Sequence, residues 1–141
     1  MKISVILPVF NEEKNVHTLY EELNNVLLNL KNSYEIIWVN DASNDKSLEI
    51  LRKISNKDKN SKIINFKWNS GQTAAMSAGI KLATGEIIIP MDSDLQNDPN
   101  DIPNFLSKLN EGFDVVSGWR KNRKDFVVSR KLPSVIANWL I

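Results

Sequence analysis

The chain has 141 residues, 42% of them hydrophobic and 25% charged, which is one soluble globular domain with a core of its own and too little for two domains. A net charge of +1 excludes bulk electrostatic attraction to nucleic acid, and the absence of cysteine excludes disulfide frameworks, thiolate zinc sites and cysteine nucleophiles. The charge is unevenly spread: residues 119–141 hold six bases against one acid, a net +5 that leaves −4 on the rest.

The chain opens with MKISVILPVFNEE, whose short apolar run stops at Pro8. It lacks the length and small-residue cleavage site of a signal peptide, and no later run reaches the roughly 18 apolar residues of a membrane span. Ile3 to Leu7 reads as a buried strand. Asn11 is placed to cap an amphipathic helix over roughly 12–31, with Val16, Leu19, Tyr20, Leu23, Val26, Leu27 and Leu30 at helical spacing. Tyr34 to Val39 is the second strand, and Asp45 caps a helix facing inward through Leu48, Leu51 and Ile54. Lys62 to Phe66 is the third strand, Gln72 to Ala83 a tightly packed Ala- and Met-rich helix ended by Gly85, and Glu86 to Met91 the fourth strand. Pro99 stands near the start of a helix reaching about Asn110, and Phe113 to Ser117 reads as a fifth strand. This βαβαβαβαβ order, with strands apolar on both faces, predicts a doubly wound, mostly parallel α/β sheet covered on both sides.

In such sheets ligands bind beyond the carboxyl ends of the strands. Five polar segments follow the five strands there: Pro8 to Glu13, Asn40 to Asp45, Trp68 to Gln72, Asp92 to Gln96, and Gly118 to Arg120. The first has no glycine and leads into two acids, which argues against a dinucleotide pyrophosphate site but leaves a base or ribose acceptable. Asn11 and Glu12 read equally as helix caps or ligand contacts. Asp41 is either a hydrogen-bond acceptor for base or ribose, or the partner of Ser43 in a local turn. Asp92-Ser93-Asp94 is the sharpest feature: two acids two residues apart, leaving a buried strand, repel unless a divalent cation lies between them, and Gln96 adds a neutral oxygen. Arg120, Arg123 and Arg130 suit phosphate by their fork geometry, or form a solubilising tail. His17, the single histidine, has no catalytic role in this reading.

The strings ILPVFNEE (6–13), WVNDASND (38–45), NSGQTAAMSAGIKLATGE (69–86), PMDSDLQNDP (90–99) and VVSGWRKNR (115–123) together resemble family 2 glycosyltransferases of the GT-A type. The likeness is to the branch of dolichol-phosphate mannose synthases and polyprenyl-phosphate glycosyltransferases. It implies that Pro8, Val9, Asn11, Glu12 and Asp41 surround the nucleotide, with Ser43, Asn69 and Gly71 contributing from the second and third loops. It implies Asp92 near the ribose or metal, Asp94 and Gln96 holding Mg2+ or Mn2+ against the pyrophosphate, and Arg120, Arg123 and Arg130 near donor or acceptor phosphate. The catalytic set is then Asp92, Asp94 and Arg120. Many relatives carry two acids where this chain has Asn40-Asp41; Asn40 still hydrogen-bonds, so altered detail is expected.

The implied reaction moves a sugar from a UDP- or GDP-sugar, with inversion, to a polyprenyl (dolichyl or undecaprenyl) phosphate that needs no strong general base. The expected setting is the cytoplasmic face of a membrane, with a homo-oligomer open. Residues 1–118 form the nucleotide-sugar core and 119–141 a basic segment that begins the acceptor or membrane-proximal region, the fold being incomplete at its C-terminus. The segment FVVSRKLPSVIANWLI suits a membrane interface or a core helix lacking its partners. A non-catalytic fragment that binds nucleotide sugar or membrane is the main rival. A nucleotidyltransferase would want a glycine-rich basic first loop, and a receiver-like domain an acidic acceptor after the third strand; this chain has neither.

Overall fold

A computed structural model describes residues 1–118; Arg120, Arg123 and Arg130 therefore lie outside the described residues. The described residues divide into a first unit, Met1–Asn104, and a second that begins at Phe105. In chain order the elements are β1 (Lys2–Val9), α1 (Val16–Asn29), β2 (Ser33–Asn40), α2 (Ser47–Lys57), β3 (Ser61–Asn65), α3 (Gln72–Leu82), β4 (Ile87–Pro90), a 3-10 turn (Pro99–Asp101) and α4 (Ile102–Asn110).

The four strands form one parallel sheet in the order β3-β2-β1-β4. Right-handed crossovers fix the layers. Moving from β1 to β2 to β3 places α1 and α2 on one face, and the return to β4 places α3 on the other. The packing agrees. Ile6, Ile37 and Val39 form a buried cluster with Ala75 of α3, against which Met76 and Ala78 pack. The alternate residues Val5, Leu7, Ile36 and Trp38 are fully buried on the opposite side, as are Leu19, Leu23 and Leu51 of α1 and α2. Central strands covered on both faces read as continuous apolar runs, which is why β1 and β2 were visible from composition alone.

Three expectations are corrected. Asn11 does not cap α1: the Glu12 carbonyl accepts from the N–H groups of Asn15 and Val16, forming a turn that delays the helix to Val16. Gly85 does not end α3, which stops at Leu82 with Ala83 as its cap. Gly85 is instead a close approach to β1, where a Cβ would lie 2.6 Å from Ser4 Oγ and 2.7 Å from Ser4 N. Residues 113–117 form no strand; Phe113 and Val115 are 57% and 84% exposed. The run has strand composition, but a strand exists only with a ladder partner, and none pairs with it among the described residues.

One buried acid went unremarked in the sequence. Glu35, 2% exposed in β2, accepts hydrogen bonds from Ser4 Oγ (2.6 Å), Lys62 Nζ (2.6 Å), Thr84 N (2.7 Å) and Thr84 Oγ1 (2.8 Å). It joins β1, β2, β3 and the segment after α3 at the amino ends of the strands. Burial alone would push its carboxyl up, but the hydrogen bonds from Lys62, Ser4 and Thr84 together hold it well below its ordinary 4.5. A lowered native pKa means that the unfolded chain binds more protons on the acid side. The stabilisation is complete above the unfolded value and drains away as pH falls from about 4.5 toward the lowered native one. Glu35→Gln is therefore expected to melt at a lower temperature at pH 7 and to show a shallower fall in Tm between about pH 5 and 3 than the parent chain. Parallel Tm-against-pH curves for the two proteins would refute this.

Candidate functional site

All four strands point their carboxyl ends the same way, so the loops after them form one rim. We designate residues 10–15 L1, 41–46 L2, 66–71 L3 and 91–98 L4. Each loop contains one residue in the left-handed region: Asn11 (φ 58°), Ala42 (φ 55°), Gly71 (φ 87°) and Leu95 (φ 62°). Three of these are not glycine and carry backbone strain of about 1 kcal/mol or more each, which surrounding contacts must hold in place.

Those contacts are hydrogen bonds between loops. The Asn11 N–H donates to Ser43 Oγ (3.0 Å), and the Asn44 N–H donates to Asn11 Oδ1 (2.8 Å). The Glu12 N–H donates to Ser47 Oγ and the Glu13 N–H to Asp45 Oδ2. Asp45 also accepts the Ser47 N–H, but the cap position of α2 is Lys46, so the expected cap is corrected: Asp45 stands one residue before it and braces L1 against the start of the helix. Burial would raise its carboxyl, yet these bonds to Ser47 and Glu13 hold it below the ordinary value. L3 is clasped by Asp41, 3% exposed, which accepts from the N–H groups of Ser70 (2.7 Å) and Gly71 (2.8 Å). Ser93 Oγ ties L4 to the Pro8 carbonyl (2.8 Å), and Gln72 Nε2 donates to Asp92 Oδ1 (2.6 Å).

The rim encloses a cavity of about 480 Å³ lined by Pro8, Val9, Phe10, Glu12, Asp41, Asn69, Gly71, Gln72 and Asp92–Asp94. Its size suits a small ligand. Its position follows from topology. The chain winds from β1 away to β3, then returns to the far side of β1 as β4, so β1 and β4 part at their carboxyl ends. The cavity has Pro8 to Phe10 on one wall and Asp92 to Asp94 on another.

Most of the expected residues meet here: Pro8, Val9, Glu12, Asp41, Asn69, Gly71, Asp92 and Asp94. Asn11 and Ser43 do not line the cavity and instead lock L1 to L2. Gln96 also lies off the lining, and its backbone N–H donates to Asp94 Oδ1 (3.0 Å). Asn40 is buried with its Nδ2 on Asn65 Oδ1, holding the end of β3. Asp41 is not in a turn with Ser43, since both its oxygens hold L3. Phe10, Gln72 and Ser93 line the cavity without having been singled out. Their one signal was position, each within three residues of an element boundary.

Among the described residues the lining holds four carboxylates and no lysine, arginine or histidine. An anionic diphosphate would be repelled here unless a cation came with it. The donor set fits a hard divalent ion that takes one or two carboxylates and completes its shell with phosphate and water. Among the described residues no three acids or histidines are grouped to enclose a metal by themselves. Asp92 and Asp94 would hold it.

The sequence profile of Glycosyl transferase family 2 matches residues 4–140. The chain belongs to glycosyl transferase family 2. Among its family 2 relatives, a dodecaprenyl-phosphate galacturonate synthase of Rhizobium johnstonii is 43% identical over all of this chain and 42% of its own length. An undecaprenyl-phosphate 4-deoxy-4-formamido-L-arabinose transferase of Salmonella choleraesuis is 40% identical over 99% of this chain and 43% of its own length. The chain thus spans less than half of either relative. The same fold occurs in glucosyl-3-phosphoglycerate synthase of Mycobacterium tuberculosis, solved with Mn2+, UDP and phosphoglyceric acid. It is 22% identical, with a TM-score of 0.67 over 99% of this chain and 50% of that one. The fold is therefore the GT-A type of this family. No helix among the described residues is long and apolar enough to cross a membrane.

Proposed function

We propose that this chain is the donor-binding part of a divalent-metal-dependent glycosyltransferase that moves a sugar, with inversion, from a UDP- or GDP-sugar to a polyprenyl phosphate. One observation carries the proposal: two acids from one loop and, among the described residues, no lysine, arginine or histidine line a cavity at the sheet's switch point. Such a cavity attracts an anion only through a cation. When bound, Mg2+ or Mn2+ would neutralise the diphosphate and ease its departure as leaving group. The chain's own residues supply the frame. Pro8, Val9, Asn69 and Gly71 offer flat apolar and amide surface for a base and ribose. Asp41 keeps L3 in place, and Asp92 and Asp94 hold the cation side. Asn11, Ser43 and Gln96 support these loops from behind. In the sequence beyond the described residues, Arg120, Arg123 and Arg130 are the candidates for binding donor and acceptor phosphates.

The acceptor class rests on the relatives. Two of them, each at least 40% identical, are named for a polyprenyl phosphate but for different sugars. The shared feature is carried over here and the sugar is not. A phosphate acceptor is anionic at neutral pH and needs no strong general base to activate it. Apposition to a membrane surface follows from such an acceptor.

The test is a thermal-shift series of this chain with UDP, GDP, CDP and dTDP, each with and without Mn2+. A ligand that binds only the folded state raises Tm by mass action. A shift with UDP or GDP that needs Mn2+ is expected; no shift with any nucleotide would overturn the proposal. Incubation with the matching nucleotide sugar and undecaprenyl phosphate then separates transfer from binding alone.

A further inference from the structure

We propose that Gln72 is a positioning residue that fixes Asp92 so that it offers a single oxygen to the cation. The inference rests on the metal-dependent reading above. Gln72 is the first residue of α3 and follows Gly71, whose φ of 87° turns the chain into the helix. Its backbone is held from behind, because Asp41 clasps the N–H groups of Ser70 and Gly71. From this anchored position its Nε2 donates to Asp92 Oδ1 at 2.6 Å, across 20 residues of sequence.

The chemistry of the amide matters. Lysine or arginine at this point would neutralise Asp92 and compete with the cation. Glutamate would repel it. A neutral amide occupies one carboxylate oxygen and leaves the full negative charge in place. Asp94 is restrained in the same manner, since its Oδ1 accepts the backbone N–H of Gln96 at 3.0 Å. Each acid has one oxygen engaged in a hydrogen bond, which would leave one oxygen on each for a cation. One oxygen per acid suits the small octahedral ions Mg2+ and Mn2+. Two from one carboxylate suit the larger, more loosely coordinated Ca2+.

The experiment compares Gln72→Met and Gln72→Ala with the parent chain, measuring Mn2+ and Ca2+ affinity in the presence of UDP by calorimetry. Both variants are expected to lose about 10-fold in Mn2+ affinity while Ca2+ affinity holds or rises, so that ion selectivity falls. In Asp92→Asn the further change Gln72→Met should cost nothing more, because the two residues act as one unit. Melting curves accompany each variant; should Gln72→Met unfold, Gln72→Ala carries the comparison. Equal losses for both ions, or no loss, would overturn the role of Gln72 while leaving the proposed function standing. A parent chain that binds UDP with neither ion would overturn both.

Discussion

Replacing Asp94 by alanine is expected to abolish the Mn2+-dependent part of UDP binding and, in a transfer assay, to lower turnover by at least about 100-fold. Asp94 is exposed on L4, and its carboxylate makes one local bond, to the Gln96 N–H. The substitution therefore removes little from the fold, and the unliganded Tm should stay within about 2 °C of the parent. The cavity, by contrast, loses one of the two acids that L4 contributes to its lining, leaving Asp92 as the single L4 carboxylate there. Ligand at about 100 times its Kd stabilises the folded state by roughly 2.7 kcal/mol. For a domain of this size that is a rise of about 10 °C, and nearly all of it should vanish in the variant. A full UDP–Mn2+ shift in Asp94→Ala would rule out a cation held by L4.

Asp41→Ala should produce the opposite signature, a loss of stability before any loss of chemistry. Asp41 is buried and both its oxygens hold backbone N–H groups of L3. Each bond to a buried charge is worth about 1.5–3 kcal/mol, so the variant should lose about 4 kcal/mol and melt more than 10 °C lower without ligand. Asp41→Asn should recover part of this, since its amide keeps one acceptor and turns a donor toward the other N–H. UDP affinity should fall in both, because Asn69 and Gly71 form cavity wall only while L3 is clasped. Unchanged melting with lost UDP affinity would mean that Asp41 meets the ligand directly and that the clasp is incidental.

The contrast between these two acids shows what a sequence reading can reach. Asp92 and Asp94 were legible because their signal is local: two acids at fixed spacing behind an apolar strand. Asp41 was legible as a residue at a strand end but not as a clasp, because its partners lie 29 and 30 residues away. Glu35 was invisible for the same reason, being joined to Ser4 and Thr84 across 31 and 49 residues. Gln72 read as the start of a helix, which it is, and only the return of β4 beside β1 brings Asp92 to its amide. The fifth strand failed differently. Residues 113–117 carry the composition of a strand, but pairing is a property of neighbours and not of a segment. The shifted start of α1 shows the limit of a capping residue as a boundary signal, because Asn11 in the left-handed region bonds another loop instead of the helix.

The direction of β1 has a practical consequence. The strand runs eight residues from Lys2 to Val9, about 25 Å at 3.3 Å per residue, and Met1 stands at its start, 60% exposed. The chain's first residue is thus at the far end of the sheet from the cavity mouth. Attachment at Met1, to a sensor chip or to a fluorophore, would place the support at the opposite end of β1 from Pro8 and Val9 of the cavity lining. Ligand binding could then be followed on a tethered molecule whose support lies about 25 Å along β1 from the cavity.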